Sequence, residues 1–254
     1  MSCLLDLAAT GQLPDHQFMD RRTLDWIESH EEVLFTGEAA YPDQMALTEP
    51  SIQAAIEQFT PPADWYLSPA LTDSIHGVRH TLRVIALACL ISTPEITNEP
   101  FTKQTSLAAS LHDLRRLHDR HDLNHGLRAA RWWLENEQSV SRTFHLAHPD
   151  TSAVFHAIRL HDIPYEQFSI ADRDEYANHR RLVDTLRLAD ALDRYRLPKA
   201  KWWIDDRKLA LTASVPLKHL AFRLAIQSER RFLEGLESAE AVRSAVRCLF
   251  PSVT

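Results

Sequence analysis

The chain has 254 residues, 44% of them hydrophobic and 25% charged, and a formal net charge of −7. That length is enough to bury a substantial core, and the acidic balance argues against general nucleic-acid binding, which rests on neutralising phosphates. Only 5 glycines are present, and glycine is what sheets use in their tight turns and what helix interiors avoid at about 1 kcal/mol each, so an all-α protein is expected.

In chain order, residues 1–70 read as an accessory segment. It holds one helix over Arg22–Glu32 and another over Ser51–Phe59, separated by turns at Pro42, Pro61-Pro62 and Pro69. A longer helix begins near Thr72, with Ile75, Val78, Leu82, Ile85, Ala86 and Cys89 on one face, and stops at Pro94. The next runs from about Thr102 into His112-Asp113, and a third starts near Asp122. Asp150 caps a fourth that ends at His161-Asp162, and a fifth spans Arg180–Tyr195 before Pro198. Amphipathic helices over Leu217–Leu236 and Ala239–Leu249 close the chain, and Trp202–Ile204 with Leu209–Thr212 reads as a short hairpin. The resulting division is 1–70 accessory, 71–198 core, and 199–254 C-terminal helices packed on the core. Scattered cysteines (Cys3, Cys89, Cys248) and the absence of a long apolar run predict a reducing, cytoplasmic setting and no membrane span.

Ten of the fourteen histidines lie between His76 and His161, interspersed with aspartates. Imidazole and carboxylate are the usual ligands of zinc, manganese and iron. His76 and His80 share a helical face, His112 and Asp113 are adjacent near a helix end, and Asp190 interrupts an apolar run. Buried polar groups at such places need a partner, and a cation would serve. Positive charge is mostly arginine, with only five lysines, which suits bidentate contact with phosphate and follows equally from a GC-rich genome.

The ordered set His80…His112-Asp113…Asp190, in the contexts HTLRV, ASLHDLRR and LRLADALDRYR, resembles the HD superfamily of metal-dependent phosphohydrolases over roughly residues 72–196. The resemblance implies a helical bundle with N- and C-terminal accessory helices, and a metal held by His80, His112, Asp113 and Asp190. His125 and His161 stand where the family's binuclear subset adds two ligands, so two divalent ions are implied, with Mn, Fe, Zn and Mg all open. Arg116 stands where many members carry a basic residue that neutralises phosphoryl charge. Asp119 and Asp122 can approach from the following loop as general acid or ligand support; Asp122 can equally be a helix cap. His118 and His121 read as solvated, and His145, His148 and His156 carry no motif.

The implied activity is hydrolysis of a nucleotide or other small phosphoester, with a homodimer conceivable. Two other functions fit the same residues: a di-iron oxygenase cleaving a C–C or C–P bond, and a non-catalytic nucleotide sensor. The walls of the substrate pocket are expected from residues 1–70 and the Trp202-Trp203 region.

Overall fold

A computed structural model describes residues 2–36, 49–92 and 99–250. Twelve α-helices run through the described residues: α1 Leu4–Thr10, α2 Arg21–Glu28, α3 Glu31–Leu34, α4 Glu49–Phe59, α5 Pro69–Thr72 and α6 Val78–Ser92, followed by α7 Glu99–Leu111, α8 His125–Thr143, α9 Thr151–Leu160, α10 Ile170–Leu192, α11 Val215–Leu233 and α12 Ser238–Leu249. No strand occurs among the described residues. The protein is all-α.

Local chemistry sets several of the helix starts. Asp20 and Asp150 accept the backbone N–H groups of Thr23 and Ala153. Ser169 and Asp172 form a reciprocal capping box at α10, and Ser214 caps α11 with a proline in its first turn. Each device satisfies N–H groups that the first turn cannot pair internally.

The α6 helix is the structural axis. Nearly every side chain from Val78 to Ser92 is buried, and α4, α7, α10, α11 and α12 all pack on it. Apolar residues from Leu4 to Leu249 join one core, so both ends of the chain contribute to it. The expected rhythm of Val78, Leu82, Ile85, Ala86 and Cys89 is indeed buried.

The helix expected from Thr72 instead begins at Val78, after the short α5. Gly77 makes the junction. A Cβ there would sit 2.1 Å from the Thr72 carbonyl oxygen and 2.4 Å from that of Leu71. We therefore expect Gly77→Ala to destabilise the protein by about 3 kcal/mol in chemical denaturation, through overpacking against backbone that cannot yield. A loss below about 0.5 kcal/mol, the range of an ordinary surface change, would contradict this close approach.

Other elements also depart from expectation. The hairpin expected at Trp202–Thr212 is replaced by two 3₁₀ turns, Ala200–Trp202 and Asp206–Lys208, the latter capped by the Asp205 side chain. The helix expected from Arg180 starts ten residues earlier at Ile170; it leaves helical dihedrals at His179 (φ −120°, ψ 16°), just before the expected start. Residues 1–70 contain α1, α3 and the start of α5 in addition to the two expected helices. The breaks expected at Pro42 and Pro94 lie outside the described residues. No helix among the described residues is long and apolar enough to cross a membrane.

Candidate metal centre

Five helices bring the expected ligands to one place. His80 lies in the first turn of α6, His112 and Asp113 directly follow α7, and His125 opens α8. His161 caps the end of α9, and Asp190 lies in the last turn of α10. All are buried except Asp190, whose side chain is a quarter exposed.

The cluster has two halves that share one carboxylate. In the first half, His80 Nε2 lies 3.1 Å from His112 Nε2, 3.4 Å from Asp190 Oδ1 and 3.5 Å from Asp113 Oδ2. In the second, His125 Nε2 lies 3.1 Å from His161 Nε2 and 3.1 Å from Asp113 Oδ1. His161 Nε2 is 3.8 Å from that same oxygen. Asp113 thus turns one oxygen to each half.

The far side of every imidazole is already engaged. His112, His125 and His161 direct Nδ1 to the backbone carbonyl oxygens of Ala109, Asp122 and Ile158, each three residues earlier, at 2.7–2.8 Å. His80 directs Nδ1 to Asp193 Oδ2 at 2.8 Å. A carbonyl or carboxylate oxygen only accepts, so Nδ1 carries the proton in each ring and a neutral ring presents a bare Nε2 lone pair to the cluster. Two such lone pairs 3.1 Å apart repel unless a cation or a shared proton lies between them. The donor set therefore fits a metal ion, and the described residues include buried His/Asp groups spaced to hold one.

The protonation states follow from burial and neighbours. Burial drives His112 down to about 3, against the pull of Asp113. Burial would lower His161 too, but Asp113, Asp162 and Asp190 outweigh it and hold this imidazole up at about 8. Burial opposes the charged form of Asp113, yet Arg116, His112 and His125 keep its carboxyl well below the usual range. A cation in the second half must displace the His161 proton, so affinity there should fall by about tenfold per pH unit below pH 8. A pH-independent affinity in competition titrations with a chelator would contradict this. The sign for the ion-free protein is opposite: the raised pKa adds stability that is complete below about 6.5 and is lost as pH rises through about 8.

Around the cluster sits a second set of groups. Asp193, fully buried, accepts from His80 on one side and from Arg83 through Nε and Nη2 on the other. Arg83 also reaches Glu229 of α11 at 2.7 Å, and Arg79 reaches the same carboxylate at 2.9 Å. None of Asp193, Arg83 and Glu229 was singled out as a site residue from sequence. A signal existed: Arg83 and Asp193 each follow a ligand by three residues, one helical turn on.

Arg116 is buried, with Nη1 3.4 Å from Asp113 Oδ1 and 3.2 Å from His125 Nε2. Its Nη2 donates to the Arg120 carbonyl oxygen at 2.9 Å. The guanidinium thus lies against the second half of the cluster. Arg115 points away, donating to the Trp65 carbonyl oxygen.

The two loop aspartates take different parts. Asp122 is not the cap of α8, since Asn124 precedes that helix in a left-handed conformation (φ 62°). Its carboxylate accepts from Leu117 N–H and from Arg128; burial opposes its charge, but these partners win and its pKa is lowered. Asp119 is buried beneath His76, accepting from its Nδ1 at 2.9 Å, from Ser74 Oγ and from Gln17 N–H. Burial dominates there and raises its pKa, while burial, Arg116 and Arg196 keep His76 well below its ordinary value.

A cavity of about 760 Å³ opens in front of the cluster. His76, Asp113, Arg116, His125, His161 and Asp190 line its floor; Arg194, Lys201 and Lys208 lie on its wall. Leu13 and Gln17 from the N-terminal segment, with Trp202 and Trp203, complete that wall, where the sequence placed it.

Compared with protein-family models, with curated proteins and with solved structures, the chain matches none.

Proposed function

We propose that the chain is a metal-dependent phosphohydrolase of the HD type, acting on a nucleotide or another small phosphoester. The observation that carries this reading is the divided Asp113 carboxylate between two pairs of histidines whose Nε2 atoms face each other at 3.1 Å. His80, His112, Asp113 and Asp190 would hold one divalent ion, and Asp113, His125 and His161 a second. Four imidazoles and two carboxylates suit manganese, iron or zinc better than magnesium, which prefers oxygen ligands. Bound ions of this kind lower the pKa of water to near neutrality and neutralise phosphoryl oxygens.

The chain's own residues supply the rest. Arg116 lies where its guanidinium can shift from Asp113 to a phosphoryl oxygen at the cavity floor. Arg194, Lys201 and Lys208 are among the cavity-lining side chains able to pair with an anionic substrate. Asp119 fixes the His76 ring by its Nδ1 proton, which leaves the Nε2 lone pair of the neutral ring free to act as a general base beside the cavity floor. Asp122 is instead held as an anion by Arg128.

The test is phosphate release by metal-loaded protein across a panel of nucleoside mono-, di- and triphosphates and simple phosphoesters. Turnover that disappears in His112→Ala supports the reading. Fully metal-loaded protein that releases no phosphate from any of them contradicts it. The same nitrogen-rich donor set also accepts iron, so a di-iron oxygenase is the second reading. It predicts substrate-dependent oxygen uptake by iron-loaded protein and no phosphate release.

A further inference from the structure

A second group of metal-ligating side chains lies outside the central cluster and plays no part in the activity proposed above. His156 on α9 and Glu175 and His179 on α10 bring two imidazoles and a carboxylate together, with their ligand atoms all within 4.8 Å of one another. His156 Nε2 is 3.2 Å from Glu175 Oε2, and His179 Nε2 is 3.8 Å from the same oxygen. Donors of a tetrahedral zinc ion, at bond lengths of about 2.0–2.2 Å, lie about 3.3–3.6 Å apart, so the two separations bracket what such an ion requires.

The two rings lie nearly parallel, 10° apart with centroids at 5.3 Å, so binding one ion would turn a ring to bring its in-plane Nε2 lone pair onto the cation. The Nδ1 of His156 is buried with no hydrogen-bond partner, and Nε2 is the nitrogen that stands against Glu175. His179 is the residue at which α10 leaves helical dihedrals. The imidazoles are 15% and 17% exposed and the glutamate 40%, which leaves the group open to solvent on one side. The Ser152 hydroxyl stands 3.4 Å from His179 Nε2.

We propose that His156, Glu175 and His179 form a separate cation site of the zinc type that clips α9 to α10. Two borderline nitrogen donors select a zinc-like ion over calcium or magnesium. Three protein ligands with one open side leave the fourth position to water. The clip sits about 7.5 Å along α9 from His161, the rise of five residues, so it is a distinct site. Its place matters because α9 ends in His161 and α10 carries Asp190. A cation here stiffens the packing of the two helices that end in the central cluster.

The site is tested on the full chain, stripped with a chelator and equilibrated with zinc alone, by elemental analysis and thermal unfolding. Asp113→Asn, which disables the central cluster, is expected to retain one tightly bound zinc and a zinc-dependent rise in Tm. Adding His156→Ala and His179→Ala to that background is expected to remove both. In the otherwise wild-type chain, the same His156→Ala/His179→Ala pair should lower zinc content by one equivalent, which reads the site even where Asp113→Asn folds poorly. Equal zinc content and equal Tm rise with and without the pair would overturn the proposal. A folded Asp113→Asn protein that holds no zinc would overturn it as well.

Discussion

Asp113→Asn is expected to remove cation binding from both halves of the central cluster in one step. The wild-type carboxylate gives Oδ2 to His80 and His112, at 3.5 and 3.9 Å, and Oδ1 to His125 and His161, at 3.1 and 3.8 Å. Asparagine keeps the shape but replaces one of these oxygens with an NH₂ donor, which cannot ligate and directs protons at one pair of histidines. It also removes the negative charge that offsets two divalent ions. Groups that merely support a metal ligand change affinity by about 10–100-fold. Loss of the shared ligand should exceed that, with affinity down about 1,000-fold or more and phosphate release at background. Calorimetric titration of stripped protein with manganese reads the first effect directly. A variant that still binds an ion with wild-type affinity at this centre would show that Asp113 does not join the two halves.

The second large effect is expected at Arg83, which touches no substrate. Its guanidinium is fully buried between Asp193 and Glu229, at 2.6 and 2.7 Å. Removing one partner of a buried ion pair leaves an uncompensated charge and costs about 3–5 kcal/mol. Arg83→Leu leaves two carboxylates without this partner, so the upper part of that range is expected in urea denaturation. Asp193 is held far below the ordinary carboxyl range: burial resists its charge, but Arg83, Arg196 and His80 overcome it. It therefore acts as a fixed anion that orients the His80 ring. Asp193→Asn keeps the volume and is expected to weaken cation affinity by about 10–100-fold while the fold survives. A pure packing role would lower stability in both variants and leave cation affinity unmoved.

Much of the centre was legible because its residues obey short-range rules. His80, His112, Asp113 and Asp190 stand at or near helix ends or on buried helical faces, where polar groups need a reason to be, whereas His125 and His161 entered only through the resemblance to the binuclear HD pattern. The structure brings all six together. The all-α architecture was legible for a similar reason: few glycines, a clear cap at Asp150, and a long apolar face on α6. What the sequence did not reveal depends on tertiary contact. Asp119 and His76 are 43 residues apart, and Arg83 meets Glu229 across 146 residues, so no local spacing announces either pair. The late start of α6 reflects Gly77 packing on α5, and the Trp202–Thr212 segment follows Asp205 capping rather than β-propensity. The clip of His156, Glu175 and His179 was invisible for the same reason, since His156 alone carries no motif.

The most direct test of the central claim is anomalous diffraction from crystals grown with manganese, recorded near the manganese edge. The account predicts a strong peak within about 2.0–2.4 Å of His80 Nε2, His112 Nε2, Asp113 Oδ2 and Asp190 Oδ1. A second peak is expected beside Asp113 Oδ1, His125 Nε2 and His161 Nε2, with the Arg116 guanidinium drawn away from His125. Well-ordered crystals with no peak between His80 and His112 would contradict the account.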